Sequence, residues 1–295
     1  MKLWRMVTDV AKWTIEITAL LVAGVALKLA LDANDMSLRS LKQSELSLAD
    51  QRESSAWQIL TMPAAGSAGK KYALSILLAR SGARLSDIDV SCEGLGISYG
   101  ELGRCRRPPD LSEIVIDSGS FSIDGSDFSG ADLYKSMFVG GMFYDVKFDW
   151  ADLSNSTFSG GRFDFISARR TSFNGAYLSG IRVGIADFTE ADLRNADFLG
   201  STFGLINVSG AGICAGVGDC PKGLGAEFLA AAWYFDDNPP IGLENILGDQ
   251  SLVRKCPGAE PAKATLNIRM AGCTAVWKAL DDPAISGGRL PNFYE

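Results

Sequence analysis

The chain contains no histidine among its 295 residues. This absence excludes a Ser-His-Asp triad, a Cys-His nucleophile pair, and haem or zinc held by histidine. The six cysteines include no C-x-x-C spacing, which argues against a zinc site built from thiolates alone. Catalysis by carboxylate, lysine or tyrosine side chains is not excluded, but no motif arranges such residues for catalysis. The sequence therefore predicts a protein that is not an enzyme and has no cofactor, metal or small-molecule substrate.

The chain also lacks an excess of basic residues, since its net charge is −7. A basic patch is the usual footprint of a nucleic-acid binder, so no nucleic-acid partner is expected. The first 31 residues are the basic part, with four Lys or Arg against two acids, whereas residues 115–213 carry seven against twelve. A basic start before an acidic body is typical of a membrane-targeting segment.

An apolar run from Trp13 to Leu31 predicts the N-terminal transmembrane helix. Its nineteen residues span about 28 Å as a helix, which matches the hydrocarbon core of a bilayer. Glu16 and Lys28 lie one turn from either end, where a long cationic side chain reaches the interface. The uninterrupted part, Ile17 to Leu27, also has the length of a signal-peptide core. We expect an uncleaved anchor that contacts the lipid bilayer through residues 13–31; a cleaved signal and a buried helix are the alternatives.

Flanking charges predict the orientation of this span. Lys2, Arg5 and Lys12 precede it, whereas Asp32 and Asp35 follow it. The positive-inside rule then keeps the N-terminus in the cytoplasm and sends the rest of the chain across the membrane.

A five-residue period between residues 121 and 213 is the strongest pattern in the sequence. Every fifth residue from Ile123 to Ile213 is large and apolar in eighteen of nineteen cases, Ala168 being the exception. Ten of the fifteen phenylalanines occupy this phase. They form the predicted core ladder: Phe128, Phe138, Phe143, Phe148, Phe158, Phe163, Phe173, Phe188, Phe198 and Phe203.

The residue two places before each of these centres is usually small, and aspartate often stands between them. Neither a helix nor a flat strand has a period of five, whereas a coil that turns a corner every five residues does. With four pentads per turn, position n lies above position n−20. Phe128 is then expected over Phe148 and Phe138 over Phe158, and the aspartates are expected to face outward into solvent.

These repeated Ser/Ala-Asp-Leu/Phe triplets resemble the pentapeptide-repeat family over roughly residues 121–213. The resemblance implies an all-β solenoid, a right-handed quadrilateral β-helix, of about 4.75 turns. Four bulky residues replace the small ones that the family prefers; three of them share one face at spacings of 20 or 40 residues, and we expect that face to bulge locally. They are Val146, Ile166, Ile181 and Ile206.

Segments on both sides of the repeats complete the predicted organisation. Trp57, a Gly-rich loop, a helix at about 70–82 that Gly82 could cap, and a strand from Leu85 resemble the cap of membrane-anchored bacterial family members. Such an α-helical cap covers the open edge of the first coil. The predicted domains are residues 1–35 (anchor), 36–114 (helical juxtamembrane and capping segment), 115–213 (β-helix) and 214–295 (irregular cysteine-containing tail).

The cysteines form three local pairs, none of them within the repeats. An even number of cysteines in a translocated chain favours disulfides, with free buried thiols and a zinc site as the alternatives. The pairing of neighbours is the preferred connectivity: Cys92 with Cys105, Cys214 with Cys220, and Cys256 with Cys273.

These features predict a single-pass protein of the bacterial inner membrane with a periplasmic β-helix, acting as an interaction or structural scaffold for an unknown protein partner. The alternative, implied by acidic members of the family, is a DNA-mimicking regulator of a type II topoisomerase. Arg162, Arg169, Arg170, Arg182 and Arg194 interrupt the acidic field that such mimicry needs. A short basic loop at Arg104, Arg106 and Arg107 is expected to be solvated, with an anion or lipid-headgroup contact as the other interpretation.

Overall fold

The computed structural model of the chain describes residues 2–62, 69–79, 82–100, 104–216, 218–235, 237–246 and 248–256. The chain divides into two compact units, Met1–Ser54 and Ser55–Glu295. The first unit is helical. The second is a parallel β-solenoid of about 5 turns.

The helices are α1 (Lys2–Thr61), α2 (Lys70–Leu78) and α3 (Ala226–Ala231), with short 3-10 helices at Leu243–Asn245 and Gln250–Leu252. The strands are β1 (Ala83–Ser86), β2 (Val115–Ile116), β3 (Phe121–Asp124), β4 (Met137–Phe138), β5 (Gly141–Tyr144), β6 (Arg162–Asp164), β7 (Ile166–Ser167), β8 (Arg182–Asp187), β9 (Thr202–Asn207), β10 (Ala232–Phe235) and β11 (Arg254–Cys256).

Helix α1 is continuous because it contains no proline and only one glycine, Gly24. The apolar run and the leucine-rich segment after it therefore form one helix rather than two. All side chains that the structure describes from Lys12 to Ser54 are exposed. By length and composition alone, a segment within Lys12–Leu60 is suited to cross a membrane, and an N-terminal signal sequence would meet the same test.

The end of α1 and helix α2 form part of the core of the second unit. Ala56, Leu60 and Leu74 are buried there. Lys70 is also buried, and its Nζ donates hydrogen bonds to the carbonyls of Leu60 at 2.9 Å and Met62 at 2.8 Å. Burial lowers the pKa of this ammonium group. These bonds satisfy carbonyls that the end of a helix leaves without partners.

Helix α2 is shorter than the sequence predicts. It ends at Leu78 rather than near residue 82. Gly82 does not cap it; instead its backbone N–H donates to the Ser120 carbonyl at 2.6 Å, next to β1. The left-handed φ of 77° at Gly82 turns the chain into the first strand.

The turns of the solenoid repeat every 20 residues. Phe143 pairs with Phe163, Phe163 with Val183 and Val183 with Phe203, all in parallel register. The main sheet runs β1-β3-β5-β6-β8-β9-β10-β11, with β7 paired to β8, and β2 pairs with β4 in a second sheet. The five-residue period therefore produces the parallel stacking that it predicted.

The phenylalanine ladder lies inside the solenoid. Nine of its ten members are buried, and Phe203 is partly buried against the same core. Phe128 stacks on Phe148 with ring centroids 5.6 Å apart, and Phe138 on Phe158 at 5.1 Å. Such aromatic pairs add about 0.5–1.5 kcal/mol to the free energy gained by burial.

The bulky residues at small positions keep the regular register of the coils. Ile166 pairs with Ala186, and Ala186 with Ile206, at the regular 20-residue spacing. Ile166 is accompanied by the smallest ladder residue, Ala168, whereas Ala186 is accompanied by Phe188, and all of them are buried. In these two pentads a large and a small residue exchange places between the two inward positions, which keeps the volume of the turn similar.

The aspartates of the triplets shape the corners of the coil. The carboxylates of Asp127, Asp152 and Asp197 each accept a hydrogen bond at 2.9 Å from the backbone N–H two residues further on. This is an Asx turn, which holds the chain in the bend that follows. These aspartates therefore stabilise the turns of the coil in addition to facing solvent.

Asp187 departs from the expectation that these aspartates face solvent, because it is only 2% exposed. Its Oδ1 accepts hydrogen bonds from the backbone N–H of Thr189 at 3.0 Å and from the Thr189 hydroxyl at 2.5 Å. Burial raises the pKa of Asp187, although these hydrogen bonds and nearby Arg169 oppose the shift. Asn207, its partner in the next turn, makes the same Asx turn without a charge.

The tail is more regular than predicted up to residue 256. Trp233 of β10 pairs with Asn207 of β9 and with Arg254 of β11, so two further strands extend the sheet. Helix α3 contributes Phe228 and Leu229 to the core. Residues 257–295, including Cys273, lie outside the described residues.

Candidate interaction surface

One face of the solenoid carries no charged side chain over three turns; we call it the uncharged face. Val115 pairs with Met137, Met137 with Thr157, and Thr157 with Tyr177 along it. Val115, Met137 and Tyr177 are exposed. The column ends at the next turn, where Tyr177 pairs with Asp197. Exposed aromatic and aliphatic side chains without charges are common at the centres of protein interfaces.

The other faces carry charges that are largely paired. Five of the seven Lys and Arg residues between positions 115 and 213 contact an acid: Lys147 with Asp127, Arg162 with Asp164, Arg169 with Asp149, Arg170 with Glu190, and Arg194 with Asp192. Pairs this exposed contribute little to stability. Their main effect is to divide the acidic field of the solenoid into small neutral patches.

A column of five residues at one corner, which we call the corner column, differs from the rest. Gly130, Trp150, Arg170, Glu190 and Gly210 follow one another every 20 residues with left-handed φ values of 57–71°. Glycine takes this conformation freely, but a residue with a Cβ costs roughly 1–2 kcal/mol there. The chain nevertheless places three large side chains in succession between the two glycines.

The three large side chains of the corner column contact one another. The Arg170 guanidinium lies over the Trp150 ring, 4.6 Å from its centroid. Its Nε donates to Glu190 Oε2 at 2.5 Å and its Nη2 to Oε1 at 3.3 Å. Hydrogen bonding to Glu190 raises the pKa of Arg170 above its ordinary value.

A disulfide-closed hairpin lies beside this column. Gly100 N–H donates to the Arg104 carbonyl at 2.7 Å, and Arg106 N–H to the Ser98 carbonyl at 3.1 Å. The Cys92–Cys105 bridge closes the hairpin, with Cα atoms 5.9 Å apart. Its sulfur atoms lie against Gly130, where an added Cβ would be 2.6 and 2.7 Å from them. Only glycine fits at that corner.

The hairpin and the corner column enclose an open groove of about 530 Å³. Its walls are Arg104, Trp150, Arg170, Thr171, Ser172, Glu190 and Asp192. Among the described residues, no group of three or more Cys, Asp or Glu is arranged to hold a metal ion. The groove is lined by guanidinium groups, carboxylates, two hydroxyls and one aromatic ring.

The structure brings four of the six predicted disulfide cysteines together in the predicted pairs. The Cα atoms of Cys92 and Cys105 are 5.9 Å apart, and those of Cys214 and Cys220, just after the last pentad, are 4.5 Å apart. Cys256 ends β11, but the third predicted pair reaches Cys273 outside the described residues.

The sequence interpretation missed the corner column and the groove. A signal was present: Trp150, Arg170 and Glu190 share the 20-residue spacing of the ladder and replace glycine in its corner phase. Arg104 could not have been placed beside them, because no periodicity links residue 104 to residues 170 and 190.

Comparisons with known proteins agree with the repeat. The family profile described as Pentapeptide repeats matches eight copies over residues 147–183 and 169–210. The comparison with curated protein sequences gave no match.

Solved structures similar to the chain include three pentapeptide-type proteins. Rfr23 from the cyanobacterium Cyanothece 51142 is 16% identical, with 41% of this chain and 80% of that chain covered and a TM-score of 0.29. QnrB1, a plasmid-mediated fluoroquinolone resistance protein, is 14% identical, with 60% and 85% covered and a TM-score of 0.28. HetL from Nostoc sp. strain PCC 7120, involved in heterocyst differentiation regulation, is 20% identical, with 49% and 71% covered and a TM-score of 0.23.

The profile match agrees with the 20-residue register of the coils: residues 147–210 of this chain carry pentapeptide repeats.

Proposed function

We propose that this protein is a membrane-anchored scaffold of the bacterial inner membrane, whose β-helix binds a protein partner on the periplasmic side and performs no catalysis. The observation that carries the proposal is the contrast between an exposed apolar helix and a solenoid whose own core is complete. The helix needs apolar surroundings from outside the chain, and a bilayer supplies them.

The orientation is proposed from charge. Lys2, Arg5 and Lys12 precede the apolar run, and Asp32 and Asp35 follow it. The positive-inside rule keeps such an N-terminus in the cytoplasm. Disulfides at Cys92–Cys105 and Cys214–Cys220 suit the oxidising periplasm, because cytosolic thiols are kept reduced.

A protein partner is favoured by the character of the surface. The uncharged face offers Val115, Met137 and Tyr177 as exposed side chains in one column, with the first charge, Asp197, only at its end. A mimic of duplex DNA needs a continuous negative field, and the ion pairs at Arg162, Arg169 and their counterparts interrupt it. We therefore favour the scaffold over the topoisomerase regulator.

Site-directed crosslinking in the native membrane tests the proposal. A photoreactive residue is introduced at Tyr177, at Asp152 or at Arg182, which lie on three different faces. A scaffold predicts one protein adduct of constant mass that forms from one face and not from the others. Adducts with lipid alone from every position, or none from any, would contradict it. Purified type II topoisomerase added to the full chain provides the test of the alternative.

A further inference from the structure

In the groove beside the corner column, some guanidinium N–H groups are not used by hydrogen bonds within the protein, whereas the carboxylate and hydroxyl groups already make such bonds. Glu190 is bound by Arg170, and Asp192 accepts from Arg194 Nη2 at 2.7 Å. Thr171 Oγ1 donates to the Phe148 carbonyl at 2.6 Å, and Ser172 Oγ shares a hydrogen bond with Ser154 Oγ at 2.7 Å.

The leftover donors belong to two arginines. A guanidinium has five N–H donors, and the bonds of Arg170 to Glu190 engage two of them. Arg104 makes no ion pair with any residue that the structure describes, and it is exposed at the mouth of the groove. The disulfide fixes the hairpin that carries it, which lowers the entropy lost when Arg104 is ordered by a ligand.

The surroundings of Arg104 add to the positive potential. Arg106 and Arg107 follow on the same hairpin and are exposed. In the sequence, the three arginines between residues 104 and 107 are flanked by single acids, Glu101 before them and Asp110 after them. This is a local concentration of positive charge on a chain whose net charge is −7. An anionic ligand would therefore be attracted to the hairpin rather than to the rest of the surface.

Trp150 gives the groove an apolar floor. Its ring is half-buried and lies under Arg170, in a corner where glycine would avoid the strain of a left-handed backbone. A volume of about 530 Å³ lies in the range of sites that bind ligands much larger than one phosphate ion. The ligand thus needs both anionic and apolar groups.

We propose that the groove binds an acidic peptide segment of the partner protein, with carboxylates accepting from Arg104 and Arg170 and an apolar side chain against Trp150. This inference rests on the proposed function, because it names the chemistry of the scaffold's partner. Bidentate contacts between guanidinium and carboxylate groups supply the specificity.

The test uses the full chain in detergent micelles and an array of labelled heptapeptides made of Glu, Leu and Ser. A matched array carries Gln in place of every Glu. We expect binding from the Glu array alone, weakened as salt is raised. Arg104→Gln should lower the affinity of the best peptide by about tenfold.

Two further variants separate recognition from folding. Trp150→Gly puts a glycine into the same column as Gly130 and Gly210, so the fold should be kept. Peptide affinity should fall at least as much as it does in Arg104→Gln. Arg182→Gln, an exposed arginine on another face, is the matched control and should leave affinity unchanged. Thermal unfolding of each variant checks the fold.

Three results would overturn the proposal: equal binding of the Glu and Gln arrays, equal loss from Arg104→Gln and Arg182→Gln, or no peptide bound. Inorganic phosphate that competes regardless of Trp150 would identify a free-anion site instead. Stronger Arg104-dependent binding to vesicles of phosphatidylglycerol would identify a membrane contact instead. A partner crosslinked in the membrane but indifferent to Arg104→Gln would leave the scaffold intact and remove only this inference.

Discussion

Apolar side chains in helix α1 and in the solenoid have opposite environments. Leu20, Leu21 and Val22 of the helix are 65–73% exposed, whereas Phe148 and Leu153 of the solenoid are at most 2% exposed. The coil provides each large side chain with neighbours from the turns before and after it. The described side chains of the helix from Lys12 to Ser54 have no such neighbours, and we propose that a bilayer covers the apolar ones. The core of the solenoid is complete without the membrane, whereas the proposed anchor needs the membrane to cover its apolar side chains.

The largest effect is expected from a cavity in the ladder. Phe148→Ala should lower the free energy of unfolding of the solenoid by roughly 3–5 kcal/mol, because the ring stacks within a close-packed interior. Leu21→Ala in the helix should leave that free energy unchanged, and Asp152→Ala should lower it by about 1 kcal/mol or less. Chemical unfolding of the full chain in detergent measures all three. Equal losses at Phe148 and Leu21 would abolish the contrast between the two regions.

The disulfide at the end of the last pentad should have the next largest effect. Replacing Cys214 and Cys220 together by alanine should cost at most about 2–3 kcal/mol, because a short loop loses little entropy on closure. Fraying should begin at that end of the solenoid, which hydrogen exchange at Val208 and Ile213 would detect. Unchanged exchange there would show that the bridge does not stabilise the last turn.

Counting the free thiols of the unreduced protein provides a separate check on the predicted disulfides. Alkylation under unfolding conditions should label no cysteine before reduction and all six after it. Peptide mapping should return 92–105, 214–220 and 256–273. Six labelled thiols in protein taken from its native membrane would argue against a periplasmic location.

Volume exchange between the two inward positions predicts a rescue. Ala168→Phe alone overfills the turn and should cost about 1–3 kcal/mol. Adding Ile166→Ala reproduces the Ala186 and Phe188 arrangement one turn above, so most of the loss should be recovered. Additive losses in the double variant would mean that these positions do not share the same space.

The smallest effect concerns the buried carboxylate. The folded-state pKa of Asp187 is raised above its ordinary value, so the folded chain binds more protons than the unfolded chain between the two values. Stability therefore falls as the pH rises through that window. Asp187→Asn should gain about 1 kcal/mol at neutral pH, and the gain should vanish in acid below the ordinary aspartate pKa. Unfolding curves from acidic to neutral pH measure this, with exposed Asp152→Asn as the control; a gain independent of pH would contradict it.

The sequence predicted the fold best where the period was strict. Five-residue spacing identified the core phase and the stacking of Phe128 on Phe148, because identical positions must superpose in a coil. It could not show that Ala168 compensates for Ile166, since that depends on the shared volume of a turn. It also missed the burial of Asp187, because the same triplet leaves Asp152 in solvent.

The candidate groove could not be predicted from the sequence for a related reason. The hairpin is an insertion without a period, and its course relative to Arg170 and Glu190 follows from the disulfide at Gly130. The charges of Arg104, Arg106 and Arg107 were visible, but their surroundings were not. The end of helix α2 at Leu78 and the hydrogen bond from Gly82 to Ser120, next to the first strand, were likewise not visible in the local sequence.

Topology is the most direct test of the proposed anchor. Alkaline phosphatase fused after residue 60 of the chain should be active in a bacterial host, and its activity should remain with the membrane pellet after an alkaline carbonate wash. A cytoplasmic reporter fused at the same residue should be inactive. Active phosphatase released into the soluble fraction would indicate a cleaved signal, and an active cytoplasmic reporter would place the β-helix on the other side; either result would contradict a periplasmic scaffold held by residues 13–31.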